Sequence, residues 1–210
     1  MNLLGHVTLG ITILLLLGLL VIVKRAATGA ILDTPHGNFL VQLVNVFNLF
    51  FLLVVNPLAA ILLVTRRLEA LDPTHVDIGD PTIVTAGELL GLFLYVAGFV
   101  LMAWALVRLA KNYQLGGSDP RAGDTMITDG PYSMVRHPMY AAALSISAGL
   151  ALLIQSWAFA CVFCVYLVLI LRLIPLEEER LLRAYGEQYA AYRRRTRALV
   201  VFFPPSSTDT

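Results

Sequence analysis

The sequence predicts an all-α, polytopic membrane bundle with about five hydrophobic segments and an amphipathic C-terminal helix at the cytoplasmic face. Composition is the first reason. Of 210 residues, 58% are hydrophobic and only 14% charged, with a mean hydropathy of +0.77, whereas a soluble domain carries about 25% charged residues. Segment length is the second: several apolar runs reach the ~20 helical residues needed to cross a hydrocarbon core. Charge asymmetry is the third. With five crossings and a cytoplasmic C-terminus, 13 of the 15 basic residues fall on the inner side and only Arg66 and Arg67 fall outside, the direction expected of a membrane protein.

Leu3 to Val23 is the first span. No Lys or Arg precedes it, and Lys24-Arg25 follow it, which fits a retained helix with an outer N-terminus better than a cleaved signal peptide. Phe39 to Val64 is the second. Asn45, Asn48 and Asn56 lie within it; intramembrane amides most often hydrogen-bond between helices and sometimes line a ligand pocket. Ile83 to Val107 is the third. Gly87, Gly91 and Gly98 fall close to one of its faces and allow a neighbour to approach, while Glu88, near its start, suits either the interface or a pocket. Asn45, Asn48 and Glu88 are the candidates for a substrate pocket within the membrane. Ala141 to Ile154 and Trp157 to Ile174 form a last pair, broken at Gln155-Ser156. Its first member is short for a span, so the pair is either two crossings, one tilted, or a helical hairpin.

The whole chain reads as a single membrane domain: residues 1–107 carry three spans, 108–197 the chemistry, and 198–210 a frayed tail. Cys161 and Cys164 lie in an apolar segment with no metal-ligating neighbour and read as two small residues on one helix; no metal site is expected. His6, His36 and His75 are isolated and take no role.

Between Arg108 and His137 runs a polar stretch of about thirty residues with Gly116-Gly117, Pro120, Gly123 and Gly130-Pro131. Compact proteins keep such a loop when it is disordered or builds a site, and this one leads into Arg136-His137-Pro138-Met139-Tyr140. Pro131 can open a short helical turn; Pro138 restricts His137 and can begin the next helix. Arg136 offers a fork for a carboxylate, His137 a ring that donates or accepts, and Tyr140 an aromatic face with a hydroxyl. These residues suit either an interfacial anchor or a small ligand with a carboxylate and a heterocycle. From Glu177 to Arg197 the spacing of Glu178, Leu182, Tyr185, Tyr189 and Tyr192 predicts one charged helix with a shared face, lying in the headgroup layer or completing the site.

Gly130-Pro131-Tyr132, Arg136-His137-Pro138, Tyr140, Ser156, Glu177-Glu178, Leu181, Tyr185-Gly186, Tyr189 and Tyr192 together resemble the isoprenylcysteine carboxyl methyltransferase family. The broader group includes membrane phospholipid N-methyltransferases and methanethiol S-methyltransferases. The resemblance covers about residues 125–197. It implies an S-adenosylmethionine-dependent methyltransferase whose cofactor site faces the cytoplasm and whose acceptor is a lipid or a lipophilic small molecule bearing a carboxylate, thiol or amine. It implies cofactor contacts from Tyr132, Arg136, His137, Tyr140, Glu177 and Glu178, and places Arg136, Glu178 and Arg195 near methyl transfer. Ala142 stands where the family usually has glycine, and Thr196-Arg197 where Val-Pro is common. Two other readings are an NADPH-dependent membrane reductase related to sterol reductases, which are typically much longer, and a non-catalytic membrane protein with a degenerate site. Membrane lipid is an expected partner; nucleic acid is not. The glycine-rich loop of a Rossmann-like methyltransferase has no candidate, since Gly116-Gly117-Ser118 lacks the strand context.

Overall fold

Proline and glycine set half of the helix ends. In the computed structural model, which describes residues 5–30, 39–112 and 125–199, helices α1 (His6–Thr28), α2 (Phe39–Val64), α3 (Pro81–Leu109), α4 (Pro138–Ile154) and α5 (Trp157–Tyr185) run alternately up and down, and α6 (Glu187–Arg195) comes last. Pro81 and Pro138 occupy first turns, where their missing N–H costs no helical bond. Asp80 caps α3, its carboxylate accepting from the Thr82 amide at 2.8 Å. No strand is present among the described residues. The expected bundle is thus observed. Residues 113–124 of the polar loop, His36 and most of the tail lie outside the described residues.

α1, α2, α3 and α5 are each long and apolar enough to cross a membrane, while α4 has 17 residues and spans about 25 Å against the ~30 Å of a hydrocarbon core. α4 and α5 form a tight antiparallel hairpin turning at Gln155, which adopts a left-handed conformation (φ 55°, ψ 53°). The α2–α3 connection caps this turn. The Val76 amide donates to the Gln155 carbonyl (2.8 Å), the Trp157 amide donates to the Thr74 carbonyl (3.0 Å), and the Thr74 and Ser156 hydroxyls lie 3.0 Å apart. A shortened helix at this face therefore leaves its turn's backbone satisfied by protein, as a low-dielectric setting demands.

Close approach of backbones holds the bundle. A Cβ at Gly149 of α4 would sit 2.6 Å from the Tyr95 nitrogen and 2.7 Å from the Gly91 carbonyl of α3, and one at Gly98 would meet Ile146 and the Ala142 carbonyl at 2.7–2.8 Å. Gly10 of α1 packs against Ala60 of α2 in the same way. Small residues at helix crossings are the usual solution in lipid, where van der Waals packing drives association. Gly87, read from sequence as part of this stripe, takes no part: a Cβ there would meet nothing within 4 Å.

α2 contains a π-helical stretch at Phe51–Val55. Pro57 lacks the N–H that would bond the Leu53 carbonyl, so the ladder slips there. The Asn56 side chain donates to the Phe51 carbonyl at 2.8 Å, which also accepts from the Asn56 backbone amide, and it accepts from Tyr95 Oη at 2.7 Å. Asn56 is thus a packing amide.

The tail departs from expectation. No single helix runs from Glu177 to Arg197; instead α5 continues through Pro175 to Tyr185, and Gly186 breaks it with φ 54°, ψ −130°. That region is open essentially to glycine alone. The break re-aims α6: Tyr189 and Tyr192 are buried while Leu182 is exposed, so these residues do not share one continuous face. Cys161 and Cys164 are exposed and unpaired on α5.

Gly149→Ala should lower stability by about 1–3 kcal/mol, the range for overpacking a tight contact, while Gly87→Ala stays within ~0.5 kcal/mol of the parent. Thermal unfolding in detergent checks this; equal effects at both positions would contradict the packing described.

Candidate active site

Glu177 and Glu178 are consecutive on α5, so their side chains leave the helix about 100° apart and serve different neighbours. Glu178 turns toward the Arg-His-Pro motif. Arg136 Nε donates to Glu178 Oε1 at 2.7 Å and Arg136 Nη2 lies 2.6 Å from the same oxygen. Both side chains are largely withdrawn from solvent, at 10% and 9% exposure. Arg136 Nη1 donates to the carbonyls of Arg193 (3.1 Å) and Thr196. His137 Nε2 sits 3.2 Å from Glu178 Oε1, and Arg193 Nε 3.5 Å from Glu178 Oε2. The guanidinium fork read as a ligand clamp is thus largely committed within the protein.

The backbone repeats the connection. Arg136 N donates to the Arg197 carbonyl at 2.7 Å and His137 N to the Ala198 carbonyl at 3.0 Å, with Val135 and Arg197 forming a parallel bridge. Thr196-Arg197, which departs from the resembled pattern, therefore forms part of the joint. Tyr192 Oη donates to the Tyr132 carbonyl at 2.5 Å. Burial, opposed by Arg136 and Arg195, pushes that phenol up to about 12, so it stays protonated and donates.

Glu177 faces the other way, into a cavity of about 280 Å³. Tyr140 Oη donates to Glu177 Oε2 at 2.7 Å, and the His137 ring stacks on Tyr140 with centroids 5.7 Å apart. Tyr132, Arg136, His137, Tyr185, Tyr189 and Tyr192 complete this polar end. Over it lie Thr125, Met126 and Ile127, held by Asn112, whose amide donates to the Thr125 carbonyl and hydroxyl at 3.1 Å each. Arg108 and Asp129 pair nearby at 3.2 Å.

The cavity's other end enters the membrane part of the bundle. Leu20, Leu52, Met102, Leu106 and Ala143 line it, with Asn45, Asn48 and Tyr166 as its polar groups. Tyr166 donates to Asn48 Oδ1 and stacks on Phe47, centroids 4.9 Å apart. Tyr166 precedes Glu177 by eleven residues on one helix, about 16 Å of rise, so the cavity links the polar cluster to mid-bundle depth.

The structure therefore brings Tyr132, Arg136, His137, Tyr140, Glu177, Asn45 and Asn48 to one cavity. Glu178 sits behind its wall, bonded to Arg136. Arg195 is exposed at the end of α6 and does not line the cavity. Glu88 is buried in α3 but lies fourteen residues from Met102, at the opposite end of the helix, and does not reach the cavity. Sequence reading missed Lys24 and Asn112 as lining groups; each follows the end of an apolar run on this face, and that position is the signal that could have found them. Among the described residues no His, Cys, Asp or Glu cluster could hold a metal.

The phospholipid methyltransferase (PEMT) family model matches residues 87–188, from α3 into the start of α6. A solved structure of the eukaryotic intramembrane Ras methyltransferase ICMT (isoprenylcysteine carboxyl methyltransferase) shares the fold, with a TM-score of 0.51 and 19% identity over 77% of this chain and 74% of that one. The cobalt-zinc-cadmium resistance protein CzcN of Cupriavidus metallidurans is 36% identical over 84 residues, 40% of this chain and 38% of that protein's length. The family match and the shared fold bear out the resemblance read from the motifs.

Arg136→Ala should cost about 3–5 kcal/mol, since it strands a buried carboxylate. Glu178→Ala should cost a similar amount, and the double variant should fall short of the sum by at least ~1 kcal/mol. Unfolding of the four proteins in detergent measures the coupling; strict additivity would contradict the joint.

Proposed function

We propose that this chain, whose residues 87–188 match a membrane methyltransferase family, is an S-adenosylmethionine-dependent methyltransferase acting on a lipophilic acceptor. The observation carrying this reading is one cavity that joins a carboxylate-and-aromatic end to an apolar channel in the bundle. A methyl donor and a membrane-partitioned acceptor need such a meeting place.

The residues present fit the cofactor. Glu177 offers a carboxylate whose Oε2 is fixed by Tyr140, suited to an ammonium or to the field of a sulfonium. Tyr132, Tyr140, Tyr185 and Tyr189 offer rings for a flat heterocycle. S-adenosylmethionine, when bound, supplies an electrophilic methyl on a positively charged sulfur. What remains for the protein is alignment and exclusion of water. The apolar walls from Leu20, Leu52, Met102 and Leu106 keep water out, while Asn45, Asn48 and Tyr166 give the channel a place to hydrogen-bond a neutral polar group. A carboxylate or thiolate acceptor gives up no proton at the transition state, and an amine reacts once neutral. His137, Glu178 and Arg136 serve this reading as the frame that fixes Tyr140 and Glu177, rather than as acid and base. Arg195, which the resemblance placed near transfer, is assigned no contact.

The basic residues of α5 and α6, with Lys24, Arg25 and Arg108, gather at the cofactor end of the bundle. By the positive-inside tendency that end faces the cytoplasm, with the N-terminus outside.

Isothermal titration of the purified protein should show binding of both S-adenosylmethionine and S-adenosylhomocysteine. Glu177→Gln should weaken S-adenosylmethionine about tenfold, the loss of one charge-assisted contact. Binding of neither ligand, or a preference for NADPH, would overturn this function.

A further inference from the structure

Three buried side-chain atoms among the described residues lack a hydrogen-bond partner: Asp72 Oδ2, Gln155 Nε2 and Tyr189 Oη. The first lies on the α2–α3 connection and the second in the hairpin turn that this connection caps, on the far face. Tyr189 is different, because it lines the cavity and is 2% exposed.

Its ring is well placed without its hydroxyl. It meets Tyr192 edge to face with centroids 6.0 Å apart, and Tyr192 is itself tied to the Tyr132 carbonyl. Phenylalanine would pack there equally well, and a buried hydroxyl without a partner costs free energy. Such groups in native proteins call for a specific reason. Arg136, Glu177 and Glu178 are near enough to act on the phenol, and burial pushes its pKa up, so it is a protonated donor. It belongs to the polar end of the cavity, away from Asn48 and Tyr166 at the apolar end.

Resting on the methyltransferase reading, we propose that Tyr189 Oη is a binding group for the methyl donor, giving a hydrogen bond to one of the donor's oxygen or nitrogen acceptors when the cavity is filled. The hydroxyl is thus kept for the bound state and satisfied only there. S-adenosylhomocysteine, which carries the same acceptor atoms and transfers nothing, is the probe.

The test compares wild type, Tyr189→Phe and Tyr192→Phe by titration with S-adenosylhomocysteine and by ligand-free melting. Tyr189→Phe should weaken binding about tenfold while its ligand-free Tm stays level or rises. Tyr192→Phe, losing a hydroxyl already bonded within the protein, should lower the ligand-free Tm and so marks what a structural hydroxyl does. Unchanged affinity in Tyr189→Phe, or a ligand-free Tm lowered as in Tyr192→Phe, would overturn the assignment. Wild-type protein that binds neither S-adenosylhomocysteine nor S-adenosylmethionine would overturn the functional reading and this inference with it, whereas binding by wild type and Tyr189→Phe alike would overturn this inference alone.

Discussion

The contact between Arg136 and Glu178 is the constraint on which the polar half of this protein depends. Arg136 begins the approach to α4, Glu178 lies on α5 beyond the apolar span, and the carbonyls of Arg193 and Thr196 end α6. One guanidinium therefore ties three separate stretches of chain together. Burying such a pair is expensive, and its attraction repays the cost only with good geometry and satisfied hydrogen bonds. Here the fork donates to one carboxylate oxygen and two carbonyls, and His137 and Arg193 approach the same carboxylate. Removal of Arg136 leaves Glu178 to the more distant and more exposed Arg193, at 3.5 Å, and removal of Glu178 leaves Arg136 with the Arg193 and Thr196 carbonyls in place of a carboxylate.

That joint determines what the cavity offers. With Glu178 drawn toward Arg136, its neighbour Glu177 faces the cavity, where Tyr140 fixes it and His137 stacks on Tyr140. The returning tail closes the back of the site through the bonds from Arg136 and His137 to Arg197 and Ala198. On the membrane side, glycine contacts between α3 and α4 set the distance between the walls. The channel between Leu20, Leu52, Met102 and Leu106 results from both conditions.

Much of this was legible in the residues. Apolar run lengths marked the spans, Gln155-Ser156 marked the hairpin turn, and Pro138 marked the start of α4. The family resemblance joined the Arg-His-Pro motif and Glu177-Glu178 into one candidate site, whereas charge at a membrane boundary suited an interfacial anchor equally well. Side-chain direction was not legible. Adjacent glutamates look alike in sequence, yet a 100° turn sends one to the cavity and one to the joint. Gly186 could be read as a helix ender only by weighing it against a strong charged-helix pattern on both sides. Arg195 and Glu88 were chosen by residue type and position, and tertiary geometry places both away from the cavity. Lys24 was legible as a topological charge, but its place on the cavity wall depends on how α1 packs against α3, which no local pattern encodes.

At the centre stands the claim that the cavity brings a methyl donor and a membrane-borne acceptor together. Transfer of a labelled methyl group from S-adenosylmethionine, by protein in lipid vesicles, to a panel of prenylated cysteine, phospholipid amine and small thiol acceptors tests it most directly. The predicted result is label in one lipid-extractable product, identified by mass, and none when protein is omitted. Protein that binds S-adenosylmethionine yet labels no member of the panel or of the vesicle lipid would contradict it.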